Sequence, residues 1–177
     1  PEHLTDDEFA VGEPDRDRNH LVQVERHEVG VVVGSELRDD EDRRRGCGRF
    51  ARAHQLRTSF HPDQFVVLSS PHAHVIGSSV RELEYQALLA DMTGADVINL
   101  HGGGAYGDKA AALKRLAAVV RDLPDGVASR LNLENDDVTY TVRDLLPVCG
   151  DLGLPLVYDV HHHRCNPDGL DEAEATD

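Results

Sequence analysis

The sequence predicts an α/β fold of parallel β/α repeats, because four short apolar runs alternate with longer helix-like segments and each run ends in the same kind of residue. Arg57-Thr-Ser-Phe60 runs into His61, Val97-Ile-Asn-Leu100 into His101, Arg130-Leu-Asn-Leu133 into Glu134, and Leu156-Val-Tyr158 into Asp159 with His162 just behind. The intervals are long enough for the crossover helix that joins two parallel strands. In a parallel barrel or doubly wound sheet the carboxyl ends of the strands open on one face, where such folds carry their active sites. His61, His101, Glu134, Asp159 and His162 gathered there would form a divalent metal site. A chain of 177 residues with a 40% hydrophobic fraction suits one domain with a sizeable core. A complete eight-stranded barrel usually takes about 250 residues. The expectation is therefore a TIM-barrel-like set of repeats forming an incomplete barrel.

Taken in order, residues 1–36 are the least legible. Charges, Gly and Pro interrupt them everywhere except 29–33, which could form a short strand, and His3, His20 and His27 read as surface histidines. The Asp, Glu and Arg run of 38–45 reads as a solvated helix face, with Phe50, Ala51, Ala53 and Leu56 as its apolar side. After the first strand, Val66, Val67 and Leu68 make a second apolar run. Ser78 or Ser79 then offers an N-cap, with Glu82 placed as in a capping box. Val80, Leu83, Ala87, Leu88 and Met92 follow at helical spacing, and Gly94 supplies the stop.

The second strand passes into Gly102-Gly-Gly104-Ala-Tyr-Gly107-Asp108-Lys109. Glycines there allow positive φ or close approach to a ligand, and Asp108 can cap the next helix. The spacing is not that of a Walker loop, since no Gly-Lys-Ser/Thr closes it. Leu113, Leu116, Ala117 and Val120 mark that helix, which stops before the turn sequence Pro124-Asp-Gly126. Thr139 or Thr141 can cap a helix carrying Val142, Leu145, Leu146 and Cys149, ended by Gly150 and Gly153. Beyond Pro167 the chain turns acidic and poor in apolar residues, which predicts a frayed tail. The organisation expected is a poorly defined leader over 1–45, a partial barrel with the metal site over 46–167, and an acidic tail over 168–177.

The net charge of -15 excludes a generic basic nucleic-acid binder. It leaves a substrate unrelated to nucleic acid, or an acidic protein whose few basic groups and metals handle phosphate locally. Cys47, Cys149 and Cys165 show no paired spacing, so neither a disulfide framework nor a structural zinc site is expected. No apolar run approaches the roughly 20 residues of a membrane span, and the expectation is a cytoplasmic protein with no membrane association.

A lone buried histidine is more often a satisfied core residue than a ligand. Four candidates in register at successive strand ends reverse that balance, because a purely structural account must explain each separately. Asp159 and His162 are three apart at a strand exit, so both can reach one ion, while His161 and His163 are expected to pack or pair with a carboxylate. Mixed imidazole and carboxylate ligands suit zinc, manganese or iron. Asp108, Asp136 and Asp137 fit caps and loop charges as well as ligands.

Several motifs closely resemble the UV damage endonuclease family. They are His61-Pro-Asp-Gln-Phe-Val-Val-Leu68, Arg81-Glu-Leu-Glu-Tyr85, Tyr106-Gly-Asp-Lys109, Leu133-Glu-Asn-Asp-Asp137 with Tyr140-Thr-Val142, and Val157-Tyr-Asp-Val-His-His-His-Arg-Cys-Asn-Pro167. The resemblance covers about residues 48–166, and Asp159-Val-His-His-His-Arg164 is its strongest element. It implies an α/β barrel related to apurinic-site endonucleases and sugar isomerases, and hydrolysis of the DNA phosphodiester bond on the 5′ side of a UV photoproduct. It also implies divalent metal ions, manganese first, with zinc or magnesium as alternatives.

The resemblance further implies that His61, His101, Glu134, Asp159 and His162 are metal ligands, with Glu134, His101 and Asp159 in the catalytic role. Gln64 and Phe65 become a probe pushed into damaged double-stranded DNA while the damaged bases are turned out. From the residues alone, Phe65 reads equally well as a core aromatic beside Val66. The family's further ligands have no counterpart here, and its amino-terminal strands are not recognisable in residues 1–42, so a central slice of the barrel is expected. Such a slice should self-associate through an open sheet edge. The alternatives are a sugar isomerase-like metal-dependent barrel enzyme and a non-catalytic remnant that binds metal or DNA.

Overall fold

A computed structural model describes residues 21–23 and 36–175. Among these, five parallel strands form one open sheet in the order β1-β2-β3-β4-β5. The strands are β1 (Leu21–Gln23), β2 (Arg57–Phe60), β3 (Val97–His101), β4 (Leu131–Glu134) and β5 (Leu156–Val157). Helices α1 (Glu36–Ala53), α2 (Ala73–Thr93), α3 (Lys109–Arg121), α4 (Asp125–Ala128) and α5 (Val142–Leu152) fill the intervals, and α6 (Val160–Cys165) follows β5. The four expected strands are present within a residue or two of their predicted ends. β1 lies in the stretch that was illegible, while the strand expected at 29–33 and the three leader histidines fall outside the described residues.

Alternation along the strands separates two chemistries. Phe60, Ile98, Leu100, Leu131 and Leu133 are buried against Leu83, Ala87, Leu116 and Leu145 of the helices. The intervening positions are Ser59, Asn99 and Asn132, with Asn99 paired in register with Asn132. Side chains two apart share a face of a strand, so His61 follows Ser59, His101 follows Asn99 and Glu134 follows Asn132 onto the polar side. The apolar face holds the fold together, and the polar face carries the ligand candidates at its carboxyl edge.

Several local expectations are corrected. Helix α2 begins at Ala73, with His72 at the N-cap, and not at Ser78 or Ser79. Ser79 is buried inside the helix, where its hydroxyl accepts a hydrogen bond from Val67 N at 2.8 Å. That contact fixes the loop after β2, a use that competes with capping. Leu88 and Leu146, expected on apolar faces, are exposed, whereas Gln86 and Ala90 are buried. On α1, Ala51 is buried but Phe50 and Ala53 are exposed, and Leu56, half-buried, lies beyond the end of the helix. The helix instead meets α2 at Gly48, where a Cβ would lie 2.4 Å from the Thr93 carbonyl oxygen. Pro124, Asp125 and Gly126 open a single helical turn, α4.

Other signals act as expected. Gly94 ends α2 with φ 75 and Gly153 ends α5 with φ 68, while Gly150 continues the helix. Asp108 caps α3 by accepting from Ala111 N at 2.9 Å. Thr141 and Asp144 form a reciprocal capping box at the start of α5. The segment expected to fray is held down in part: His163 Nε2 lies 3.0 Å from the Leu170 carbonyl oxygen, and Arg164 pairs with Glu172 at 2.5 Å. The boundary drawn at residue 45 falls inside α1. All three cysteines are free, and no helix of the described residues is long and apolar enough to cross a membrane.

Candidate metal centre

Glu134 is the hub of the polar edge. It is the last residue of β4, paired in register with His101 at the end of β3, and it is only 4% exposed. Its Oε2 lies 3.5 Å from His61 Nε2, and its Oε1 lies 3.6 Å from His101 Nε2 and 3.3 Å from His162 Nδ1. Two sets of ligand atoms converge within 4.8 Å of one another: His61, His101 and Glu134, and Glu134, Asp159 and His162. All five expected ligands are therefore brought together, and Glu134 belongs to both sets.

Surrounding groups orient these side chains. Asn99 Nδ2 donates to Glu134 Oε2. His61 Nδ1 lies 3.1 Å from the Pro62 carbonyl oxygen; a carbonyl can only accept, so Nδ1 carries a hydrogen there and Nε2 is the nitrogen turned to the carboxylate. His162 Nδ1 lies 2.9 Å from the Asn135 carbonyl oxygen, so in this ring the nitrogen held by the backbone is also the one nearest Glu134. The Asn135 side chain clamps the Asp159 backbone, accepting from its N at 2.8 Å and donating to its carbonyl at 2.9 Å. Asp159 in turn caps α6, its Oδ1 accepting from His162 N at 2.8 Å.

Electrostatics keep the hub ionised. Burial pushes the Glu134 carboxyl up, but the imidazoles of His101 and His61 outweigh it and bring its pKa down to about 2. The His61 pKa is raised, chiefly by Glu134, against the opposing effect of burial. His101 Nε2 is buried without a hydrogen-bond partner, and a buried polar atom left unpaired is costly. A buried imidazole nitrogen without a hydrogen-bond partner and an ionised buried glutamate ringed by imidazoles both fit a cation among these residues.

The loops beyond the strands carry the remaining candidates. Asp63 Oδ1 accepts from Phe65 N at 2.9 Å, and Val66 N donates to the Asp63 carbonyl at 2.9 Å. This tight turn, between buried Pro62 and Val66, projects Gln64 and Phe65 outward. Phe65 is 77% exposed, which removes the core-aromatic alternative. The glycine run after His101 serves packing, since a Cβ on Gly102 would lie 2.6 Å from the Tyr140 ring. Asp136 is buried and caps its own loop, accepting from Val138 N and Tyr140 N. His163 packs as expected, buried with its Nε2 3.0 Å from the Leu170 carbonyl oxygen, and His161 lies beside Cys165. The sequence assigns no role to Asn99, Asn135 or Tyr140, although the last two fall in the family-like motifs and a lone Asn inside the apolar run Val-Ile-Asn-Leu is a visible signal for Asn99.

A family model described as UV-endonuclease UvdE matches residues 32–177. The UV DNA damage endonuclease of Bacillus velezensis is 43% identical over 133 residues, covering 73% of this chain and 41% of that protein. A Bacillus cereus UV DNA damage endonuclease is 37% identical over 125 residues, covering 69% of this chain and 39% of its own. The chain thus spans about two-fifths of the length of these relatives. The crystal structure of SacUVDE superposes with a TM-score of 0.74 at 33% identity, over 78% of this chain and 48% of that one. D-psicose 3-epimerase from Clostridium cellulolyticum H10, at 13% identity and a TM-score of 0.59 over 73% of this chain and 52% of that one, shares the TIM-barrel-like fold alone. With its candidate ligand residues gathered at the strand ends of this fold, the chain belongs to the UV-endonuclease UvdE family.

Proposed function

We propose that the chain is the metal-binding part of a DNA repair endonuclease that hydrolyses the phosphodiester bond 5′ to a UV photoproduct. The observation that carries this reading is the convergence of three imidazoles and Asp159 on the buried, ionised Glu134, in a chain of this family. His61, His101, Glu134, Asp159 and His162 would hold divalent ions, manganese first and zinc or magnesium as alternatives. Bound there, such ions supply Lewis-acid charge beside the scissile phosphate.

The chain's own groups prepare that site. Glu134, His101 and Asp159 present their ligand atoms toward the reacting phosphate. Asn99 holds the Glu134 carboxylate in place, and Asn135 holds Asp159 and His162. Phe65 and Gln64, on the turn directly after His61, enter the duplex at the lesion, where an aromatic wedge and an amide replace lost stacking and pairing. The test is incubation of the chain with manganese and a duplex carrying one defined photoproduct. A weak nick 5′ to the lesion, slower than that of a full-length relative, absent from undamaged duplex and abolished by chelator, is expected. Binding without any nick at saturating manganese would reject the catalytic reading.

A further inference from the structure

The loops leaving β2, β3 and β4 each expose a large hydrophobic side chain: Phe65, Tyr106 and Val138. All three loops lie at the strand ends that carry the ligand cluster. Tyr106 is the most informative, because its backbone is strained. Its φ is 51, and that of Gly107 is 81. With Asp108 N donating to the Ala105 carbonyl at 3.0 Å, the four residues form a tight turn with two successive left-handed positions. Gly, Asn and Asp dominate such positions, and a bulky side chain is a genuine outlier there. Strain of this kind persists where the surroundings impose it, and it clusters at functional sites.

The surroundings do impose it. The Gly104 carbonyl accepts from Ser69 Oγ at 3.1 Å and from the Tyr140 hydroxyl at 3.3 Å, which fixes the backbone beneath the ring. The ring rests on Gly104 closely enough that a Cβ there would lie 3.2 Å from Tyr106 Cε2. Arg115 lies 6.0 Å from the ring centroid, its own Nε donating to the Ser69 carbonyl at 2.9 Å. Despite these supports Tyr106 remains 47% exposed. The result is an aromatic ring on a rigid mount at the edge of the ligand-bearing face. A chain of net charge -15 has no long-range attraction for phosphate, so contact with DNA must rest on short-range interactions, of which stacking on bases is the sequence-tolerant form.

We propose that Tyr106 is a second aromatic contact for nucleic acid, stacking on a base of the damaged duplex and acting beside Phe65. This rests on the repair reading above. The test uses Tyr106→Gly and Tyr106→Asn, which suit the left-handed backbone but lack the ring, and Tyr106→Phe, which keeps it. Affinity is read by fluorescence anisotropy on a duplex with one thymine photodimer, with chelator present to prevent nicking, beside thermal melts. The Gly and Asn variants are expected to melt no lower than the parent yet bind about tenfold more weakly, the scale of one base-aromatic stack. The Phe variant should bind within twofold of the parent. Parent-like binding by Tyr106→Gly overturns the inference and leaves the repair reading standing. So does a loss of binding that tracks a loss of melting temperature in both ring-free variants, or an equal loss in Tyr106→Phe. A parent that binds neither damaged nor intact duplex overturns both.

Discussion

Glu134→Gln is the most discriminating change at the candidate centre, because Glu134 alone belongs to both sets of ligand atoms. Glutamine keeps the volume of the buried side chain and can still accept from Asn99, so the fold should persist. What is lost is one negative charge. At an effective dielectric of about 20, two unit charges separated by the 4.8 Å span of the ligand atoms attract by about 3–4 kcal/mol, so a divalent ion loses on the order of 7 kcal/mol, or roughly 10⁵-fold in affinity. His61 belongs only to the first set and Asp159 only to the second, so His61→Ala and Asp159→Ala should each weaken one class of site and spare the other. Isothermal titration with manganese, with elemental analysis after gel filtration, reads both affinity and stoichiometry. Retained stoichiometry in Glu134→Gln, or the same residual site in His61→Ala and Asp159→Ala, would refute the shared-ligand arrangement.

Phe65→Ala should weaken discrimination between damaged and intact duplex by about 1–3 kcal/mol without lowering the melting temperature, since the ring is 77% exposed; a large loss of stability would show that the ring packs. Gly102→Ala should destabilise the fold by about 1–3 kcal/mol through overpacking, because the new Cβ would sit 2.6 Å from the Tyr140 ring; an unchanged denaturation midpoint would contradict that contact. For Asp144, burial raises the pKa, but Lys109 and Thr141 more than offset it and leave it below its ordinary 3.8. The resulting stability is present above pH 3.8 and lost as pH falls through the lowered value. Asp144→Asn should therefore cost about 1 kcal/mol at neutral pH, with the gap to the parent closing in acid; a gap independent of pH would argue against the ionised capping box. The open parallel sheet of the described residues should favour self-association, and light scattering that stays monomeric across a hundredfold range of concentration would count against it.

Much of the fold and the candidate site was legible because the signals were local. A metal-ligand residue directly after an apolar run places itself at a strand end whatever surrounds it, so His61, His101, Glu134 and Asp159 could be aligned before any contact was known. The same holds for Asp108 and Thr141 as caps and for Gly94 and Gly153 as stops, where the relevant hydrogen bonds or backbone angles involve residues within a turn of each other. Phe65 was undecided, since its neighbour Val66 is equally apolar, and only the Asp63 turn sends one outward and the other into the core.

The remainder depended on partners far along the chain. Ser79 reads as a cap until Val67, 12 residues earlier, takes its hydroxyl. Asn135 has no assigned role until Asp159, 24 residues later, closes on it. Asn99 finds Glu134 at a separation of 35 residues, and Arg115 finds the Ser69 carbonyl at 46. Sequence periodicity records which face of an element is apolar, but it carries no information about which distant polar group will meet an exposed donor or acceptor. The strand-end placement of the candidate ligands was therefore determined by the sequence itself, while the groups that hold them in one geometry, and the mount beneath Tyr106, were decided only when the strands came to lie side by side.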